Sequence, residues 1–268
     1  MKTLLRYIFG KFLDLIFSND PNRVGQFVLN GRRQFVWLSE HVGRKIALRI
    51  FERRESRFFT HEIKPGDVCF DIGANVGYFT HLFAAGTGAT GRVIAVEPVR
   101  KNVLLIELAS ELNKSNSIIT VVNAAVSNKA GSISLNATDD SSYASVHVAQ
   151  HGESKTIRAV TIDSLLAEMN AAHIDILKMD IEGWEYHALE GMKKILSDPA
   201  RRPRLMMIEL YSDHLKRYGS SIGQICDYLD SLNYSPAILD NHGNFIPYEP
   251  HHYDRFYNVF FTDEGKAV

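Results

Sequence analysis

Cysteine is scarce: the 268 residues hold two, Cys69 within an apolar strand-like run and Cys226 in a helical pattern. Two isolated cysteines supply neither a disulfide framework nor a thiolate metal site, and they fit a reducing, cytoplasmic setting. Net charge is equally scarce, at −1 from 30 Lys+Arg against 31 Asp+Glu. A chain so balanced carries no global field to hold a polyanion, so nucleic acid is not the expected partner and a small or neutral one is. Long hydrophobic runs are missing too. Arg6, Gly10, Lys11 and Asp14 interrupt the opening segment before any stretch reaches signal-peptide length. Nowhere do the ~20 consecutive apolar residues of a transmembrane helix occur.

What the chain does have is 45% hydrophobic composition, enough to bury one sizeable core. Leu4, Leu5, Ile8, Phe9, Phe12, Leu15 and Ile16 fall at helical spacing. Segment 4–17 therefore reads as an amphipathic helix that docks on the main domain or on a second subunit, a contact that would suit a homodimer. Asn19-Asp20-Pro21-Asn22 is the clearest break, and residues 1–64 are expected to form an N-terminal extension to a domain spanning 65–268.

From Val68 onward the sequence alternates as a doubly wound sheet requires. Val68–Ile72 is strand-like, Val76–Ala85 helical, Arg92–Glu97 strand-like, Val99–Asn113 helical and Ile118–Asn123 strand-like. After a polar interruption at 136–154 the pattern resumes with strand Ile174–Met179, helix Trp184–Leu196, strand Arg204–Leu210 and helix Ile222–Leu232. Two closing strands near Tyr234–Leu239 and Arg255–Phe261 suggest an antiparallel edge hairpin. The expected fold is α/β and Rossmann-like, with a mostly parallel seven-stranded sheet.

A buried strand ending in Asp71, then Gly73 and Gly77, then an apolar helix, is a strand–glycine loop–helix junction suited to a nucleotide-type cofactor. A nicotinamide fingerprint started at Gly73 would demand glycine where Asn75 and Tyr78 stand. S-adenosylmethionine suits the loop better. It has no pyrophosphate to cradle, while Asp71 can pair with its ammonium and amides at the helix start can hold its carboxylate. Glu97, ending the second strand, can accept both ribose hydroxyls. Asn123 and Ala124, ending the third, would meet the adenine. Singly these residues could cap a helix or satisfy a turn. Together, at consecutive carboxyl ends of strands, they mark a cofactor site lined by Asp71, Gly73, Asn75, Gly77, Glu97, Asn123 and Ala124.

Four motifs in order carry a resemblance. They are Lys64 to Thr80 (KPGDVCFDIGANVGYFT), Ala95-Val96-Glu97-Pro98, Asn123-Ala124-Ala125-Val126-Ser127 ahead of Gly131, and Leu177 to Glu185 (LKMDIEGWE). Over residues 64–212 the chain resembles the FkbM family of S-adenosylmethionine-dependent methyltransferases, which have the class I fold. The resemblance implies O-methylation of a sugar or other hydroxylated natural-product acceptor, which neither composition nor periodicity indicates.

The last motif carries the candidate catalytic groups. Methyl transfer from a sulfonium to a hydroxyl is an in-line displacement, so positioning dominates, yet a protonated alcohol is a poor nucleophile and a base should assist. Asp180 and Glu182, at a strand end, and Glu209, ending the next strand, are the candidates. Glu185 is explained by a helix N-terminus alone. No metal ligand set follows from spacing: His251-His252 with Asp254 lacks further ligands, and a divalent ion on the three carboxylates is a minor option. His147 and His151 read as solvated, and Arg32-Arg33 and Arg53-Arg54 as surface charge. The polar stretch 136–154 is either an acceptor lid or a surface loop. A non-catalytic nucleotide-binding protein is the competing class, and the carboxylates beside the pocket argue against it.

Overall fold

The computed structural model describes residues 20, 22–29, 31–136, 145–146, 154–249, 252 and 256–265. Segment 4–17, with its expected helix and dimer contact, lies outside them, as do His147, His151, His251, Asp254 and most of 136–154.

The chain begins with a hairpin of β1 (Val24–Leu29) and β2 (Arg32–Trp37), followed by helices His41–Ala47 and Arg53–Glu62. The main sheet then opens with β3 (Val68–Ile72), β4 (Arg92–Val96) and β5 (Ile119–Val122), separated by helices Tyr78–Thr87 and Arg100–Leu112. A second, four-stranded sheet comprises β6 (Ala125–Val126), β7 (Gly131–Asn136), β8 (Ser145–Val146) and β9 (Ser154–Val160). The main sheet resumes with β10 (Ile176–Met179) and β11 (Leu205–Leu210), and closes with β12 (Tyr234–Leu239), β13 (Phe245–Pro247) and β14 (Tyr257–Asp263).

Its order is β13-β12-β14-β11-β10-β3-β4-β5, with β5, β4, β3, β10 and β11 parallel. The closing strands are antiparallel as expected, but β14 inserts between β11 and β12, pairing with both, and the three-residue β13 takes the edge. All four residues of β10 are buried. That two-sided burial, with helices on both faces, is why these strands read as unbroken apolar runs and not as alternating ones. No helix among the described residues is long and apolar enough to cross a membrane.

Two element boundaries differ from expectation for identifiable reasons. The first sheet-flanking helix starts at Tyr78, not Val76, because Asn75 (φ 50°) and Gly77 (φ 84°) hold the chain in left-handed backbone up to the helix start. The expected helix Trp184–Leu196 is two pieces, Glu185–Glu190 and Lys193–Leu196. Between them Gly191 packs so closely that a Cβ would sit 2.2 Å from the Ser127 carbonyl oxygen.

The described part of the first 64 residues shares the core of the domain. Phe59, wholly buried, lies against the rings of Phe79 (5.7 Å), Phe83 (5.1 Å) and Phe260 (5.9 Å). Phe35, Val36, Leu38 and Ile46 cluster with Val76, Leu105 and Ala109. Trp37 Nε1 donates to Asn102 Oδ1 at 3.0 Å, and Lys101 pairs with Glu40 at 2.6 Å. Arg32, expected as surface charge, donates to the Ala84 carbonyl at 3.0 Å. Helix Arg53–Glu62 is thereby fixed across the carboxyl-end rim of the sheet, where its first residues meet the cavity.

Candidate functional site

β3 delivers the glycine loop. Gly73 (φ 72°) is required twice over: its backbone is left-handed, and a Cβ there would lie 1.8 Å from the Asp180 carbonyl oxygen. The loops after β3 and β10 therefore touch backbone to backbone, with Asp180 N–H donating to the Ile72 carbonyl (3.0 Å) and Lys178 Nζ to the Gly73 carbonyl (3.1 Å). Asn75 holds its left-handed backbone while its own Oδ1 accepts the Val76 amide at 2.8 Å. Gly77 stands at the start of the helix, which has no side-chain cap and no acidic residue in its first turn.

Asp71 is completely buried and does not line the cavity. Its Oδ2 accepts from Thr80 Oγ1 at 2.6 Å, while Oδ1 lies 3.8 Å from Lys178 Nζ and has no hydrogen bond. Burial pushes its carboxyl upward, against the pull of Lys178 and Thr80. Glu97, also buried, accepts the Asn75 amide on Oε2 (2.8 Å) and the Val99 amide on Oε1 (2.9 Å). Burial raises it to about 7 despite those bonds. Asn123 is exposed, and its Nδ2 donates to the carbonyls of Glu97 and Pro98, both at 2.9 Å, lashing the ends of β4 and β5 together. Ala124 follows it, fully buried.

A cavity of about 700 Å³, within the ~300–1,000 Å³ of small-molecule sites, opens at the carboxyl ends of β3, β10 and β11. Asn75 and all three candidate catalytic carboxylates, Asp180, Glu182 and Glu209, line it; Glu97, Asn123 and Ala124 lie to one side, at the ends of β4 and β5. Each of the three carboxylates offers an oxygen within 4.8 Å of the others. A trans pair of oxygens around calcium spans roughly 4.8 Å, so the trio could hold a divalent cation.

The electrostatics are those of crowded carboxylates around one cation. Burial and then Asp180 drive Glu209 well above the ordinary range, and Asp180 lies within hydrogen-bonding reach of it. Burial, Asp180 and Glu185 push Glu182 up to about 8. Its backbone is left-handed (φ 58°), and its Oε2 lies 2.9 Å from His214 Nδ1. Glu185 braces the loop that presents Glu182, its Oε1 accepting the Ile181 and Gly183 amides at 3.1 Å each. Lys178 is buried, which opposes its charge, but Asp180, Asp71, Glu52 and Glu209 outweigh that and keep it protonated.

Sequence reasoning missed Glu52, Lys178, Tyr211, His214 and Asn258, all of which line the cavity. Lys178 stood inside the fourth motif without a role. Glu52 gave no signal, because distant packing brings it here. Burial raises it to about 8, Asn258 bonds it, and its Oε2 is buried without a partner. Glu52 (φ 37°), Asn75 and Glu182 are all left-handed non-glycine residues, and such strain collects at functional sites. His252, by contrast, stacks on Tyr248 at 5.5 Å and does not itself line the cavity.

Known proteins resemble this chain in sequence. The methyltransferase FkbM domain profile matches residues 71–236. The hexuronic acid methyltransferase AglP of Haloferax volcanii is 26% identical over 140 residues, which cover 52% of this chain and 56% of AglP. The solved FkbM methyltransferase of Methylobacillus flagellatus superposes with a TM-score of 0.46 at 17% identity, over 76% of this chain and 49% of that one. An S-adenosylmethionine-dependent O-methyltransferase of Thermotoga maritima gives 0.45 at 11% identity, over 91% and 79%. The match thus spans about half the length of AglP and of the Methylobacillus protein.

Proposed function

The chain belongs to the FkbM methyltransferase family, whose cofactor is S-adenosylmethionine, and from that premise we propose that it methylates a hydroxyl of a sugar or similar acceptor. The observation that carries this reading is the convergence of Asp180, Glu182 and Glu209 on a cavity beside the glycine loop. The relative AglP, by name a hexuronic acid methyltransferase, supports a sugar acceptor.

Two features fit the cofactor. The uncapped start of helix Tyr78–Thr87, with Tyr78 and Phe79 lining the cavity, leaves first-turn amides that no intrahelical bond uses and that suit a carboxylate. Asp71, sealed beneath the loop and outside the cavity lining, supports it from behind by bonding Thr80 and pairing with Lys178. Glu97 Oε1 accepts from the Val99 amide and from Asn102 Nδ2, while Oε2 accepts only the Asn75 amide and keeps a lone pair for a ribose hydroxyl. Asn123 and Ala124 then flank the adenine side.

The bound cofactor supplies a methyl group on a positively charged sulfur, ready for displacement by an oxygen nucleophile. The protein's residues do the rest. Glu182 takes the hydroxyl proton on Oε1, and the loop that presents it is braced by Glu185, which accepts the Ile181 and Gly183 amides. A base of pKa about 8 is matched to proton transfer near neutral pH. Asp180 and Glu209 orient the acceptor hydroxyl, and Lys178 ties Asp180 to the Gly73 carbonyl of the β3 loop. Walls from Phe51, Phe79 and Tyr257 limit water.

Calorimetric titration of S-adenosylmethionine and S-adenosylhomocysteine into wild type and Glu97→Ala tests the pocket, with NAD as the control ligand. Binding by wild type, strong loss in the variant and silence with NAD are expected. Silence with both sulfur ligands on folded protein would remove the cofactor assignment. Unchanged turnover in both Asp180→Asn and Glu182→Gln would remove the catalytic one.

A further inference from the structure

The lining of the cavity holds cations as well as the carboxylate group just described: helix His41–Ala47 and the start of helix Arg53–Glu62 contribute Lys45, Arg53 and Arg54, along with Glu52 and Glu55. Most cations of this segment have internal partners. Arg44 Nε donates to the Leu38 carbonyl at 3.0 Å, and Arg49 reaches the Val28 carbonyl at 3.5 Å. Arg54 is shared between the Leu239 carbonyl (3.3 Å) and Glu55 (3.7 Å). Lys45 and Arg53 differ: both line the cavity, and neither side chain forms a hydrogen bond or ion pair with any described residue.

Two unpaired cations in a cavity that also holds Asp180, Glu182 and Glu209 define a ligand by its polar groups. Beside the three carboxyl groups a hydroxyl is matched, because each offers an acceptor oxygen. Beside Lys45 and Arg53 an anion is matched, since nothing among the described residues pairs with their side chains. A neutral sugar would satisfy only the carboxyl groups.

We propose that the acceptor is an acidic sugar, its carboxylate bound by Lys45 and Arg53 while its hydroxyl faces Asp180 and Glu182. This rests on the O-methyltransferase reading above and names the substrate class for that site. Arg53 supplies a planar fork matched to a carboxylate, and Lys45 a mobile point charge. Both act on binding of the acceptor and not on the reacting atoms, so their loss should appear in KM and leave kcat nearly intact.

The test uses full-length protein with S-adenosylmethionine and two sets of methyl glycosides, one of glucuronic, galacturonic and mannuronic acids and one of the matching neutral hexoses. S-adenosylhomocysteine formation is followed for wild type, Arg53→Lys, Lys45→Ala and Lys45→Ala/Arg53→Ala, with cofactor affinity measured alongside by calorimetry and folding checked by thermal unfolding. Turnover is expected on at least one acid and not on its neutral counterpart. The double variant should lose 10- to 100-fold in kcat/KM through KM at unchanged cofactor affinity, and Arg53→Lys should retain part of it. Equal turnover on the neutral sugars overturns the proposal, as does a double variant with wild-type KM. So does loss of cofactor affinity in the double variant, which would assign the two cations to the cofactor's own carboxylate. Cofactor binding without turnover of any sugar overturns it too and leaves the pocket standing, whereas absence of cofactor binding removes the underlying reading itself.

Discussion

Replacing Glu97 by glutamine should alter how stability depends on pH in a way that can be worked out beforehand. Burial raises this carboxyl from 4.5 to about 7. An acid whose folded pKa is raised is protonated more in the folded chain than in the unfolded one, so stability is fully present below pH 4.5 and is lost as pH rises through 7. With those two values, the single-site linkage relation gives a loss of about 2.5 kcal/mol between pH 5 and pH 8, and about 3 kcal/mol in total. Glutamine does not titrate, so this slope disappears. It also satisfies only one of the two amides, from Asn75 and Val99, that the carboxylate accepts, which costs about 1–3 kcal/mol at every pH. The variant should therefore be clearly less stable than wild type at pH 5 and close to it, or above it, at pH 8. Urea unfolding of both proteins at half-unit intervals measures the difference, and all other titrating groups cancel in the comparison. A gap between wild type and variant that stays constant within about 0.5 kcal/mol from pH 5 to pH 8, against the about 2.5 expected, would show that Glu97 is already ionised in the folded protein and refute the reasoning.

Other perturbations have equally definite outcomes. Glu182→Gln should lower kcat by about 10²–10⁴ at unchanged cofactor affinity, and should abolish the rise in wild-type kcat through about pH 8, read from a kcat–pH profile. Gly73→Ala drives a methyl group to 1.8 Å from the Asp180 oxygen and should cost more than about 3 kcal/mol of stability together with cofactor binding; a wild-type melting temperature would contradict the close approach. His81 is buried with neither ring nitrogen bonded, and burial, with Arg32, lowers it to about 4. Wild-type stability should therefore gain about 3 kcal/mol as pH rises from 4 to 6.5, a gain that His81→Leu removes in acid denaturation series. Asp263→Asn breaks the bidentate pair with Arg202 (2.6 and 2.7 Å) that ties β14 to the turn before β11, and should cost about 3–5 kcal/mol in urea unfolding.

Local pattern told most about the parallel half of the sheet. β3, β4, β5, β10 and β11 are short apolar runs whose carboxyl ends carry Asp71, Glu97, Asn123, Asp180 and Glu209, so their place in the sequence nearly states their place in the fold. The insertion of β14 between β11 and β12 was not legible, because strand order at the antiparallel end is decided by tertiary pairing and not by the strand's own residues. Neither was the hairpin β1–β2, whose role emerges only when Phe35 and Val36 meet Leu105. In the site, Asp180, Glu182 and Glu209 were readable from position, and the structure gathers them into one cavity. Glu52 and His214 were not: Glu52 depends on the Phe59 ring cluster that seats its segment, and His214 on the close packing of its helix against Gly183. Arg53, read from sequence as solvated charge, lines the cavity because its helix is seated by that same cluster.

The walls of the cavity follow a division along the chain. His41 to Glu55 on one side, and Ile238, Leu239 and Phe256 to Asn258 on another, all fall outside the family-matched span 71–236, whereas the glycine loop, Lys178, Asp180, Glu182 and Glu209 fall inside it. The protein is thus arranged like a tool with a fixed drive and an exchangeable socket. Grafting residues 22–64 and 237–265 of this chain onto another family member should carry acceptor preference with them while the recipient's methyl-donating machinery stays its own.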